Sequence, residues 1–394
     1  MKSLWLFLCF SLLVPYVTLG HELPPDAVAY EKSETCKQCH PLIYEEWNQS
    51  MHAKSSVHKD NAHAAVFNTF AKSMEKENKP QTYHCANCHA PMPDNLQDLM
   101  AGKAKPNPNE WKESEGVGCV FCHRIRGVVE EKSFNHYLMN QDGSLMVSKP
   151  SNKAPHKTSA SPLFADSLVC LGCHSHMANP KGAAICLMME EGIEGNCMSC
   201  HMKESAGAPA NGSEKTSHRS HIMPGGHDGD MLKQAVSLDA KVDKKGDINQ
   251  LTVTIQNLIT HTFPSTNPMR LAFLKIVALN KDGKEVWTNF KDDIAKEDPQ
   301  ALFAKAFKAN DKVGVPSWEA EAVAFDSRIK KGESRAIAYD LKQADIDKVK
   351  ISLIYRLFPA KAIDMMGIPK DGVNEKNYLI HEKEQSLQSK ALTR

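Results

Sequence analysis

The chain has 394 residues, with 48 Lys plus Arg against 47 Asp plus Glu and a net charge of +1. A balance this even gives no support to nucleic acid or another polyanion as partner. The length suits two or three domains of roughly 100–200 residues each, and aromatic residues are only 7% of it, so the interior calls for other filling.

The first residues read as a secretory signal at 1–20. Lys2 is the basic start, residues 4–19 are the apolar stretch, and Thr18-Leu19-Gly20 offers small residues before a cleavage point at His21. The stretch is interrupted by Pro15 and is short against the about 20 residues a membrane span needs; a retained anchor is the alternative. Cys9 lies inside the apolar stretch and reads as part of the signal. No later stretch is apolar enough to cross a bilayer, so the exported chain is expected to be soluble.

Ten of the twelve cysteines fall in five Cys-x-x-Cys pairs, and every pair runs directly into a histidine. They are Cys36/Cys39-His40, Cys85/Cys88-His89, Cys119/Cys122-His123, Cys170/Cys173-His174 and Cys197/Cys200-His201. Between them, residues 61–76 carry Ala64, Phe67, Phe70, Ala71 and Met74 at helical spacing, which predicts one apolar helix face. Residues 106–109 and 205–212 read as loops. Cys186 is left over and reads as a small buried thiol.

Two thiols three positions apart can each add to one vinyl group of the same porphyrin, and the next side chain then lies under the ring with its imidazole on the iron. Structural zinc also uses Cys-x-x-Cys, drawing two pairs into one tetrahedral site, and an exported chain can carry disulfides. Neither explains a fifth-position histidine every time, when histidine is only 18 of 394 residues. Five covalent haem c groups do, with His40, His89, His123, His174 and His201 as proximal ligands. So little chain per group cannot wrap each one separately, so the haems are expected to lie close and to form much of the core. The uneven spacing predicts an irregular, mainly helical array with little regular sheet over 21–230, the motifs sitting on short helices.

From Met231 the pattern changes. Leu251, Val253 and Ile255 alternate with Thr252, Thr254 and Gln256, the period of a half-buried strand. Residues 270–279 and 285–290 flank an Asp282-Gly283 turn and predict a hairpin. Further strands are expected at 335–341 and 349–358. Asp298-Pro299 predicts a helix start, running to Lys308. The expectation is an α+β chain of two domains, the second an immunoglobulin-like β-sandwich over 231–380, with a loose polar tail at 381–394.

The run Cys36-x-x-Cys-His followed by Glu46-Trp47-Asn-Gln-Ser50-Met-His52-Ala resembles the first-haem signature of the cytochrome c-554 family, relatives of the octahaem hydroxylamine oxidoreductases. Gly116-Val-Gly-Cys119-x-x-Cys-His-Arg-Ile125 and Cys197-x-x-Cys-His-Met202 are similar to motifs of the same group, so the resemblance covers about half the chain. The c-554 proteins proper have four haems and no comparable sandwich. The resemblance implies His52 as distal ligand to a haem other than its own. His221 and His227, in His-Ile-Met-Pro-Gly-Gly-His, resemble the ligand-bearing segment after the last haem of such cytochromes. His156 is a further candidate, and His261, in Thr-His-Thr-Phe-Pro, resembles a ligand element of attached sandwich domains. His63, His136, His176, Met177 and Met202 are weaker candidates for the same role.

The expected function is electron transfer through closely packed, mostly bis-His haems. The alternative is an oxidoreductase acting on a small nitrogen or sulfur compound at a haem with an open face. All five motifs end in His, which counts against a lysine-ligated catalytic haem. Covalent haem attachment occurs outside the cytoplasm, so the periplasm is the expected location, with a membrane-anchored or extracellular form as the second choice. The expected partner is a redox protein or a membrane quinol or cytochrome complex, the sandwich serving as cap or docking module.

Overall fold

The structure is a computed structural model describing residues 29–131, 135–187, 196–343 and 345–387. The expected signal at 1–20 lies outside them. Among the described residues, no helix is long and apolar enough to cross a membrane.

The motif-bearing half is built of short helices joined by small sheets. The helix Asn61–Lys76 matches its expected span. Asp60 starts it, its carboxylate accepting from the Ala62 and His63 amides, which satisfies donors a helix start leaves orphaned. One face of this helix, through Ala62, Ala65 and Val66, joins the large core of the later sheets, while Phe67 packs on Tyr83.

The expectation of a mainly helical region with little regular sheet is overturned. The chain is 25% helical and 29% strand, and short strands recur in the motif-bearing half from Ile125 to Arg219. β1 (Ile125–Val129) and β2 (His136–Met139) pair antiparallel, as do β5 (His176–Ala178) with β6 (Ala184–Leu187) and β7 (Glu204–Ala206) with β8 (Ser217–Arg219). β3 (Leu145–Val147) and β4 (Thr158–Ala160) pair in parallel. These ribbons are only three to five residues long, too short for alternation to stand out in the sequence. Their physical role is to close the segments between motifs, where the chain must satisfy its backbone groups without long helices.

The later half is sheet-rich. β9 (Val236–Lys245), β10 (Ile248–Asn257) and β17 (Ser334–Leu341) form one antiparallel sheet in the order β17-β10-β9. A second runs β12 (Glu285–Thr288), β11 (Leu271–Leu279), β18 (Lys348–Arg356), β19 (Tyr378–Ser386), with β13 (Leu302–Phe303) beside β11. β14 (Lys305–Ala309), β15 (Lys312–Val313) and β16 (Ala322–Asp326) make a third, small sheet. Leu251, Val253 and Ile255 of β10 and Leu274, Ile276, Ile351 and Leu353 of β11 and β18 are fully buried in one shared cluster, the outcome their alternation predicts.

Two local expectations are corrected. Asp298-Pro299 opens only the single 3-10 turn Pro299–Ala301, and the chain then turns into β13 and β14. The Asp298 carboxylate is engaged by Asn289 and Tyr339, so it does not cap a helix. Residues 381–386 of the expected tail are strand, because β19 continues to Ser386 in register with β18, held by Lys350–Glu382 and Lys348–Glu384 ion pairs; residues 388–394 lie outside the described residues.

Candidate functional site

Each motif makes one tight helical turn. The His40, His89 and His174 amides donate to the Cys36, Cys85 and Cys170 carbonyls at 2.8, 2.9 and 2.9 Å, and Cys119–His123 and Cys197–His201 are short helices. One turn brings both thiols and the imidazole to the same side. All five motifs line one continuous cavity of about 2690 Å³. Pockets for ordinary ligands run about 300–1,000 Å³, so this space is sized for several large groups.

The motif imidazoles are oriented by carbonyls. Nδ1 of His40 lies 2.7 Å from the Pro209 oxygen, that of His123 2.8 Å from Met146, that of His201 2.7 Å from Pro224 and that of His89 3.1 Å from Ser55. A carbonyl only accepts, so Nδ1 carries the proton and donates, leaving Nε2 with its lone pair for a metal. The accepting carbonyls of Pro209, Met146, Pro224 and Ser55 are invisible in the sequence, since any residue supplies a backbone oxygen.

The structure then sets further histidines opposite the motifs. The His156 ring lies 6.2 Å from His40, His52 lies 6.0 Å from His174 and His261 lies 6.5 Å from His201, centroid to centroid. Two imidazole nitrogens at about 2.0–2.1 Å from a shared metal, the bond length seen with zinc, give ring centroids about 6 Å apart. His221 lies within electrostatic reach of His123, and its Nδ1 donates to the Arg219 carbonyl at 2.8 Å. Burial, and then His174, pushes the His52 pKa down to about 4; burial, and then His123, does the same for His221. Both rings are therefore neutral at ordinary pH, the form that binds iron.

Among the described residues, no ring stands at such a distance from His227. It lies on the cavity wall within electrostatic reach of Arg270, Asp60 and Lys54. The imidazole beside His89 is His63, at 4.5 Å, and both rings turn Nδ1 to the same Ser55 oxygen, at 2.8 and 3.1 Å. That separation leaves no room for a metal between them. His176 is taken by the Glu131 carbonyl, and His136 lies in β2.

Thiols of different motifs approach one another. Cys36 is within hydrogen-bonding reach of Cys119, Cys88 of Cys173 and Cys170 of Cys197. Tyr137 lies beside the second of these pairs, its one hydroxyl proton shared between the Val169 carbonyl at 3.0 Å and Cys173 Sγ at 3.5 Å. Gly172 is required there, because a Cβ would collide with the Tyr137 ring. None of the described cysteines is in a disulfide, and no described group of His, Cys, Asp and Glu is arranged as a conventional metal site.

Residues 35–124 match the family described as cytochrome c554 and c-prime. That stretch holds the first three motifs, and the match supports a multihaem c-type cytochrome of the c554 kind. The fold agrees over nearly its whole length: a penta-heme cytochrome c552 from Thermochromatium tepidum is similar at a TM-score of 0.74 and 24% identity, the match covering 92% of this chain and 100% of that one. No curated protein matches.

Glu46 belongs to the Glu-Trp-x-x-Ser-x-His run, but its role could not be read from spacing. Its buried carboxylate accepts from His218 Nε2 at 3.1 Å and from the His221 amide at 2.8 Å. It thereby ties the segment carrying His221 to the first motif's helix, Pro41–Gln49.

Proposed function

We propose that this chain passes electrons through five covalently held haem c groups, one on each Cys-x-x-Cys-His motif, after export to the periplasm. The observation that carries the reading is the common cavity: fifteen Cys and His side chains of five separate motifs open onto one space. Haem c, when bound, supplies one-electron iron chemistry, and the protein sets potential by axial ligand, hydrogen bonding and burial. His40, His123, His174 and His201 each have a second imidazole within reach, from His156, His221, His52 and His261 respectively. The thiol contacts make the first and third motifs neighbours, the second and fourth, and the fourth and fifth. The fourth motif is thus shared by two neighbours, and an electron entering at the second or fifth would pass by Cys170 and Cys173. The partner is a redox protein or a membrane quinol or cytochrome complex.

Intact-mass analysis of protein matured in a host that attaches haem c is expected to show five haem additions, and EPR to show low-spin irons in the majority. Colourless protein with the mass of its amino acids alone would overturn the reading. One observation favours the second reading, an oxidoreductase with an open haem: the ring beside His89 is His63 at 4.5 Å, too close for a metal between them. A high-spin signal confined to one haem would support it.

A further inference from the structure

We infer that His227, Arg270 and Tyr355 form an anion-binding site on the wall of the haem cavity, suited to a carboxylate or a small oxyanion. All three line the cavity but come from separate elements: His227 from the Gly-rich segment after the last motif, Arg270 from the approach to β11, Tyr355 from β18. Tyr355 is fully buried and its hydroxyl has no hydrogen-bond partner. A buried hydroxyl without a partner costs about 1–3 kcal/mol, so a strand residue of the sheet core that keeps one is suited to a ligand that accepts from it. Gly226 brings the backbone against this phenol. A Cβ there would collide with the Tyr355 hydroxyl and lie 3.7 Å from Arg270 Nε. Tyr355 and Arg270 therefore converge within a few ångströms of the peptide that precedes His227.

The charges favour an anion. Arg270 donates to the Leu357 carbonyl at 2.7 Å through one nitrogen and lies within electrostatic reach of both His227 and Tyr355. Lys54 also reaches His227. The nearby carboxylates are engaged: Asp60 accepts from the Ala62 and His63 amides and Asp228 from Met231. Burial raises the Tyr355 pKa to about 12, so the phenol stays a donor. Asp60 lies within electrostatic reach of both His227 and His89, which puts the site on the side of the second motif. This location, and the haem carboxylate as one of the two ligands, rest on the haem-carrying reading. The ligand is either the carboxylate of a bound haem or a free oxyanion.

The test uses the full-length, haem-loaded chain, with nitrite as probe and the variants Tyr355→Phe and His227→Asn. If the ligand is free, nitrite perturbs the optical and EPR spectra of the parent, and each variant weakens that binding at least tenfold. If the ligand is a haem carboxylate, nitrite has no effect and Tyr355→Phe shifts one haem's midpoint potential. The site is overturned if nitrite binds parent and variants equally. It is equally overturned if nitrite leaves the parent unchanged and Tyr355→Phe leaves every potential unchanged. Five haem additions by mass in each variant keep a failure here separate from a failure of the haem reading.

Discussion

Replacing Gly116 by Ala perturbs the placement of His52 without touching its side chain. Gly116 has φ +85, and a Cβ there would collide with the His52 carbonyl oxygen and lie 3.1 Å from that of Ala53. The next amide, Val117 N–H, donates to the same His52 oxygen at 2.9 Å, and Trp47 Nε1 donates to the Val117 carbonyl at 2.9 Å. His52 Nδ1 is buried and has no partner, so this backbone clamp, not a ring hydrogen bond, holds the imidazole opposite His174. The left-handed conformation costs a non-glycine residue about 1–2 kcal/mol, and overpacking against fixed backbone adds about 1–3 kcal/mol. The expected total is ~2–5 kcal/mol. Gly283→Ala supplies the control: its φ is +75 in the hairpin turn and a Cβ there meets nothing, so it carries only the conformational cost. If even about 1.4 kcal/mol of the Gly116 penalty falls on His52, its equilibrium constant for binding the iron drops tenfold. Thermal unfolding and EPR check both parts. Gly116→Ala is expected to melt below Gly283→Ala and to convert one low-spin iron to high spin. Equal melting of the two variants with unchanged EPR would refute the clamp.

Glu46→Gln removes a charged acceptor shared by His218 and the His221 amide; about 1.5–3 kcal/mol of stability goes with each such bond, and the low-spin signal assigned to the third motif is expected to broaden or be lost in EPR. His63 is buried with its pKa held below 6.5 by desolvation. The unfolded chain takes up that proton first, so stability is full above about pH 6.5 and falls as pH drops toward the folded value. Melting temperatures across about pH 5–8 should show an acid loss that His63→Gln reduces. Lys305 is buried and its ammonium donates to the Ala184 carbonyl at 3.1 Å; Lys305→Ala leaves that oxygen without its cation, costs about 1–3 kcal/mol, and should make the β5–β6 hairpin more sensitive to protease. Leu274→Ala opens the core between the two large sheets, where Leu274 is fully buried, and is expected to cost about 2–5 kcal/mol by chemical denaturation while leaving the haem spectra unchanged.

The covalent chemistry was legible in the sequence because it is local. Cys119, Cys122 and His123 must share one helical turn to serve one porphyrin, and local constraints survive as fixed spacing. The helix Asn61–Lys76 and the strands β10, β11 and β18 were legible for the same reason: their period follows from which face is buried, and Leu251, Val253 and Ile255 show it directly. The short ribbons β1 to β8 were not, since three to five residues carry too little periodicity to stand against a helical expectation. Which imidazole faces which motif is a property of chain crossings. Residues 174 and 52, or 201 and 261, meet only after the chain has folded, and nothing in their spacing records it. His227 sits in a run that looks ligand-like, and only the fold shows that Arg270, Asp60 and Lys54 are within its electrostatic reach and that the ring beside His89 is His63. Sequence alone thus determines how many haems the chain can hold, because bond formation is a short-range matter. The tertiary structure decides which groups become neighbours, because burial and contact between distant segments depend on the whole fold.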